Sequence, residues 1–298
     1  MDSIIHLSSC PVCDSAALTS LFTVRDYTVS HKDFQLVECA GCSLRFTQDV
    51  PDKASIAAYY KSDNYISHTD TSKGLVNSLY KIVRKRTLKQ KRKLVESIAG
   101  KKPGKLLDVG SGTGAFLDEM KRHGWDITGL EPDPDARNIA QNLYGLELND
   151  TSLLSGLPPA EFDVITLWHV LEHVHDLRDT MAQLFRLLVT GGRLVIAVPN
   201  YTCLDEKIYR QYWAAYDVPR HFYHFSPQAM DRLVKQQGGS VLAHKPMWFD
   251  SFYVSLLSSK YRNGSTNWLG SLWTGLKSNM AAMQDVKKCS SVIYIIAA

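Results

Sequence analysis

Between residues 104 and 200, short apolar runs alternate with amphipathic stretches. Leu106-Leu107-Asp108-Val109 reads as a buried strand, Gly110-Ser111-Gly112-Thr113-Gly114 as a turn, and the residues after it as a helix. Asp126–Leu130 reads as a second strand, Pro134–Tyr144 as a second helix and Leu146–Leu148 as a short third strand. Leu177, Met181, Leu184, Phe185 and Leu188 share one helical face, with Asp176 placed to cap that helix and Gly191-Gly192 to end it. Such alternation predicts an α/β fold with a doubly wound, parallel, Rossmann-like sheet. Ligands then sit beyond the carboxyl ends of the strands, where the glycine turn and Trp168-His169 fall.

The turn has the form G-x-G-x-G, and glycines at that spacing let the backbone bend sharply and approach a ligand closely. Glu131, ending the second strand, stands where a ribose would present two hydroxyls. A dinucleotide site would show G-x-G-x-x-G. Here the third glycine comes one residue early, Asp108 precedes the loop, and Glu131 opens Glu131-Pro132-Asp133. An anionic loop suits a cofactor bearing an ammonium and a sulfonium better than one bearing phosphates. These residues resemble the first motif of the class I S-adenosylmethionine (SAM)-dependent methyltransferases. Phe162–His173 resembles that family's fourth strand and active-site turn, and Leu187–Asn200 its next helix end and fifth strand. The resemblance implies a seven-stranded sheet and a SAM site built from Asp108, Gly110, Ser111, Gly112, Thr113, Gly114, Glu131, Pro132, Trp168 and His169.

Toward the amino terminus, Cys10-x-x-Cys13 and Cys39-x-x-Cys42 form two pairs separated by 25 residues. Four thiolates at this spacing make a closed tetrahedral site, which predicts a structural Zn2+; rubredoxin-like iron, a redox pair and disulfides are the rivals. Asp14 and Ser43 stand where such knuckles often carry glycine. Residues 1–50 are read as the zinc ribbon, with short strands at Phe34–Cys39 and Leu44–Thr47, and residues 51–103 as a helical connector. In similar methyltransferases such a connector folds over the cofactor, which makes Tyr65 and His68 candidates for contact with SAM or substrate, or for ordinary packing. Residues 104–298 are the methyltransferase domain, Cys203 and Cys289 being packing residues.

The end of the chain departs from a minimal fold. Val241–His244 and Ser291–Ala297 read as the last two strands, an adjacent pair in the family, yet an aromatic-rich insert at about 246–289 separates them. It lines an apolar substrate pocket, forms a homodimer contact, or is a helical pair packed on the core.

With 298 residues and 45% hydrophobic composition the chain can bury a sizeable core. It has no apolar run of 18 residues and no basic leader, so a cytoplasmic protein without a membrane span is expected. Net charge is +4, but Lys81–Lys105 holds eleven Lys and Arg against Glu96. That segment is a solvated helix face or the mark of an acidic partner.

Methyl transfer requires positioning, and a base where the acceptor must lose a proton. A helical turn would put His169, Glu172 and His173 on one face. One reading makes a histidine the general base, His173 before His169. A second makes the trio metal ligands, since the pattern resembles the E-x-x-E-H motif of metal-dependent O-methyltransferases, with a histidine in place of the first glutamate. A third gives the cluster a structural role, since the Leu-Glu-His turn is widespread in methyltransferases without an active-site metal. His221 and His224, in a segment resembling one found in bacterial methyltransferases ahead of a helix at Pro227–Gln237, are further candidates. The expected activity is SAM-dependent methylation of an oxygen or carbon of a small metabolite or carrier-bound intermediate, sugar nucleotides included. Two alternatives stand beside it: a nucleic-acid-binding or RNA-modifying protein gripping with ribbon and basic helix, and a non-catalytic SAM-binding scaffold.

Overall fold

A computed structural model describes residues 4–60, 75–100 and 103–298, so Tyr65 and His68 lie outside the described residues. In chain order the elements begin with β1 (Ile4–Ile5), β2 (Leu18–Arg25), β3 (Asp33–Cys39), β4 (Arg45–Thr47), β5 (Val50–Pro51) and α1 (Leu75–Ala99). There follow β6 (Lys105–Val109), α2 (Ala115–Lys121), β7 (Asp126–Leu130), α3 (Pro134–Tyr144), β8 (Phe162–Trp168), α4 (Leu177–Leu187) and β9 (Leu188–Pro199). The chain ends with α5 (Leu204–Tyr209), β10 (Tyr223–His224), α6 (Pro227–Gln236), β11 (Ser240–Pro246), α7 (Asp250–Asn263), α8 (Trp268–Gln284) and β12 (Ser291–Ala297). Two compact units result: Met1–Tyr65 with His169–Met181 and Ile196–Ile296, and Ile66–Trp168 with Ala182–Val195 and the last two residues.

The second unit carries one half of the sheet, in the order β9-β8-β6-β7, with β6 parallel to both β7 and β8. Leu106, Leu107, Val164, Ile165 and Leu167 are fully buried, as expected of strands covered on both faces. α3 starts where Asp133 accepts the Asp135 N–H and Pro134 presets the first helical φ, and it stops at left-handed Gly145.

Two expectations need correction here. Leu146–Leu148 is not a strand: the chain makes a single bridge, Leu130 with Asn149, before Asp150 caps a 3-10 helix at Thr151–Gly156 and turns it away. Counted through β9, the sheet therefore has six strands among the described residues. The Gly191-Gly192 pair does not end α4 either. The helix stops at Leu187 because the Arg186 and Leu187 carbonyls accept the N–H groups of Ala160 and Glu161, and the glycines lie inside β9, Gly191 at φ 79°.

The first unit holds β11-β12-β9 and a four-stranded sheet, β10-β4-β3-β2. β2, which pairs antiparallel with β3 across an irregularity between Ser20 and Thr23, was not foreseen, nor was the closing pair of β10 with β4 (Tyr223 opposite Phe46). The aromatic insert is a helical pair. Gly275 makes the close approach possible: a Cβ there would come within 2.6 Å of Phe252 Cδ1 and 3.1 Å of Phe252 Cα.

Candidate active site

β6 delivers the chain into three glycines with positive φ, Gly110 at 72°, Gly112 at 53° and Gly114 at 78°. At Gly114, the cap of α2, a Cβ would lie 3.0 Å from Ala140 Cβ and 3.2 Å from Leu146 Cδ1, so packing as well as conformation demands glycine. At Gly112 a Cβ would meet nothing within 4 Å, which leaves open space against the backbone, and Thr113 beside it is half-buried.

Glu131 ties the loop to the next strand. Its Oε2 accepts the Gly112 N–H at 2.7 Å and its Oε1 the Asp133 N–H at 3.0 Å, while Arg137 donates to the carbonyls of Glu131 and Pro132. Asp108 is buried beneath; its Oδ1 accepts from Thr166 Oγ1 at 2.5 Å, and Ser111 Oγ donates to the Asp108 carbonyl at 2.8 Å. Burial pushes the Asp108 carboxyl up to about 7 against the opposing Thr166 bond. Trp168 ends β8 with Phe116 against its ring edge, Lys91 Nζ 4.4 Å from its centroid, and its buried Nε1–H without a partner among the described residues.

A second cluster, in the other unit, follows Trp168 in the chain. The expected α-helical turn is absent: His169 has φ 60° and Leu171–His173 is one turn of 3-10 helix. That backbone separates the two histidines. His169 lies between carboxylates, Nδ1 3.2 Å from Glu172 Oε1 and Nε2 3.0 Å from Asp250 Oδ2. Burial opposes its charge, but the two carboxylates override it and lift the imidazole pKa to about 10. His173 turns the other way, its ring centroid 4.5 Å from that of His221. Burial, reinforced by His221, lowers its pKa to about 4.

A carboxylate oxygen of Glu172 and one ring nitrogen each of His173 and His221 lie within 4.8 Å of one another. Because carbonyl oxygens only accept, His173 Nδ1 carries the proton it donates to Arg220 O at 3.0 Å, and His221 Nδ1 the one it donates to Ala215 O at 2.8 Å. Tyr60 Oη also stands 3.0 Å from His173 Nδ1. Nε2 is then the second nitrogen of each ring, His221 Nε2 lying 3.9 Å from Asp217 Oδ2. Glu172 is fully buried and its Oε2 has no partner among the described residues. His224 is not in this group: it is buried, 3.0 Å from Thr47 Oγ1 and edge-on to Tyr216, at the β10–β4 joint.

A family model described as a methyltransferase domain matches residues 82–244, more than half of the chain. The chain belongs to the methyltransferase-domain family. A mitochondrial ubiquinone biosynthesis O-methyltransferase of Schizosaccharomyces pombe is 34% identical over 108 residues, 34% of this chain and 39% of that relative. Its counterpart in Psychrobacter cryohalolentis is 35% identical over 114 residues, 35% of this chain and 42% of the relative. The match therefore spans about two-fifths of the length of these relatives. Among solved structures, geranyl diphosphate C-methyltransferase of Streptomyces coelicolor A3(2) aligns with TM-score 0.53 and 13% identity over 77% of this chain and 85% of its own. Magnesium protoporphyrin IX methyltransferase of Synechocystis PCC 6803 aligns with TM-score 0.52 and 13% identity over 83% and 100%. These two share the fold.

Ahead of the matched methyltransferase region, Cys10, Cys13, Cys39 and Cys42 converge, with Cys10 Sγ 3.5 Å from Cys42 Sγ and Cys13 Sγ 3.4 Å from Cys39 Sγ. The Cys42 thiol, hydrogen-bonded to Cys10, lowers the Cys10 pKa to about 5. Val12 and Gly41 donate their N–H groups to Cys10 and Cys39 sulfur. Asp14 and Ser43 do adopt the left-handed conformation that favours glycine, at φ 60° and 59°. Compensating contacts hold both: Asp14 pairs with Arg178 at 2.7 Å, and Ser43 Oγ bonds Ser226 Oγ at 2.6 Å. Arg178 also donates to the Pro11 and Val12 carbonyls. Sequence reasoning missed Asp250 as the partner of His169, since nothing local links residues 81 positions apart.

Proposed function

We propose that this domain transfers a methyl group from SAM to an oxygen or carbon of a small metabolite or carrier-bound intermediate. The observation that carries the reading is the Glu131 carboxylate, which spans the Gly112 and Asp133 N–H groups and so sits against the glycine turn, where a ribose diol would be accepted. The open space at Gly112 and the unpaired Trp168 Nε1–H fit a bound nucleoside as well. SAM supplies a methyl group activated by its sulfonium. The protein's part is to position: Glu131 fixes the ribose, the glycine backbone allows close approach, and buried Asp108 braces the turn from beneath through Thr166 and Ser111. An oxygen acceptor is favoured by the ubiquinone biosynthesis O-methyltransferases among the relatives. Release of S-adenosylhomocysteine that depends on an added hydroxyl or enol acceptor tests this. SAM binding with no acceptor-dependent release would leave a scaffold.

The geometry favours metal ligation over general base catalysis in the second cluster. At a pKa of about 10 His169 is an imidazolium at neutral pH, and at about 4 His173 is a weak base. Glu172, His173 and His221 offer one oxygen and two nitrogens around the unpartnered Glu172 Oε2. The second nitrogen of each histidine is held by a carbonyl, as ligating histidines are. Such a donor set suits Mn2+, Co2+ or Zn2+ better than Mg2+, and a metal there would act as a Lewis acid for an acceptor oxygen. Calorimetric titration with Mn2+ should show a site lost in Glu172→Gln and His221→Ala; equal affinity in both variants would return the cluster to a structural role.

The four cysteines are proposed to hold one structural Zn2+, with residues 1–50 as the element it orders and the connector and methyltransferase domain following.

A further inference from the structure

The α7–α8 pair is packed inside out. On α8 the buried residues are Ser271, Thr274, Gly275, Ser278 and Ala282, and on α7 they include Ser251, Ser255, Ser258 and Ser259. Several of their hydroxyls are bonded internally: Ser251 Oγ reaches Asn279 Oδ1 at 3.0 Å, Ser278 Oγ donates to Asp205 Oδ1 at 2.6 Å, and Ser258 Oγ to Val254 O at 2.7 Å, while Ser255 Oγ and Ser271 Oγ have no partner among the described residues. The outward face carries the large apolar side chains instead, with Trp268 62% exposed, Leu269 82%, Trp273 57% and Met283 76%, joined by Leu272 and Leu276. A helix facing water shows the reverse distribution. Small residues between helices and large apolar ones outside are the arrangement of helices whose surroundings are hydrocarbon.

Charge indicates what those surroundings are. α8 contains no acid, and Lys277 is its single charged residue, with Nζ 5.2 Å from the Trp273 ring centroid. Lys260 and Arg262 at the end of α7, and Lys287 and Lys288 just beyond α8, are exposed, Arg262 lying over the Tyr209 ring. Against them stand exposed Asp285 and half-buried Asp250, the latter engaged by His169. A second copy docked on this face would bring two basic borders together, which like-charge repulsion opposes. A surface with hydrocarbon beneath anionic headgroups satisfies both features, and tryptophan and lysine are the residues that sit at such a boundary.

We propose that α8 is a monotopic docking helix, lying in the interfacial plane of an anionic lipid bilayer with its Trp268–Met283 face buried. Its 17 residues give a contact about 25 Å long. Among the described residues no helix is long and apolar enough to cross a membrane, so the helix lies on the surface rather than through it. This docking is independent of the methyl-transfer reading.

The test is co-sedimentation of the full chain with vesicles of phosphatidylcholine alone or mixed with phosphatidylglycerol, alongside tryptophan emission. Binding should be at least about tenfold tighter to the mixed vesicles, weaken with salt, and shift the emission to the blue. The double variant Leu269→Glu/Trp273→Glu should lose roughly tenfold or more in affinity at unchanged melting temperature. Lys277→Glu should lose about fivefold. Failure of the full chain to bind mixed vesicles overturns the proposal, as does binding that the double variant retains. So does a dimer in sedimentation that the same double variant dissociates while vesicles remain unbound, since the occupant is then a second copy.

Discussion

Asp250 Oδ2 stands 3.0 Å from His169 Nε2, so the first residue of α7 grips the residue that follows β8. With Glu172 on the other ring nitrogen, His169 is a clamped cation that joins two loops rather than a proton acceptor. Its imidazole should therefore not titrate between pH 6 and 8 by NMR. Asp250→Asn should lower the midpoint by roughly one unit or more. A midpoint near 6.5 in the unaltered protein would refute the clamp.

Asp108 predicts a pH dependence of stability. Its folded pKa, raised by burial to about 7, lies well above the ordinary range of an aspartate. A raised folded pKa means the neutral form is favoured, so the contribution is fully present below about pH 4 and lost as pH climbs through about 7. Asp108→Asn, which keeps the Thr166 contact without the charge, should lose less stability over that range, by about 2–4 kcal/mol relative to the unaltered protein. Urea unfolding at pH 4.5 and 8 measures it; parallel curves would show that the carboxyl is not strained.

The cysteine cluster predicts one tightly held zinc per chain. Thiolate-bound Zn2+ contributes on the order of 10 kcal/mol to folding so small a ribbon, so Cys39→Ser should expose the amide protons of β2 and β3 to exchange. Elemental analysis that finds no zinc or iron would remove the assignment.

Local signals made much of this legible. Asp126–Leu130 and Pro134–Tyr144 match the expected spans because an apolar run and an Asp-Pro cap mark them without reference to distant residues. β2 escaped because its alternation breaks at the Ser20–Thr23 irregularity, and β10 because its partner lies far back in the ribbon. The His169–Glu172–His173 spacing misled in a specific way. It presumes an α-helix, whereas positive φ at His169 sends that ring to Asp250 and leaves Glu172 and His173 to meet His221. Side-chain clusters assembled across loops have no period to read.

The most direct test is calorimetric titration of the full chain with SAM and S-adenosylhomocysteine, compared with Glu131→Ala. The account predicts binding of both ligands, weakened about 10- to 100-fold in the variant, equivalent to about 1.5–3 kcal/mol of charge-assisted hydrogen bonding. Unchanged affinity in Glu131→Ala, or NADH binding in preference to SAM, would contradict it.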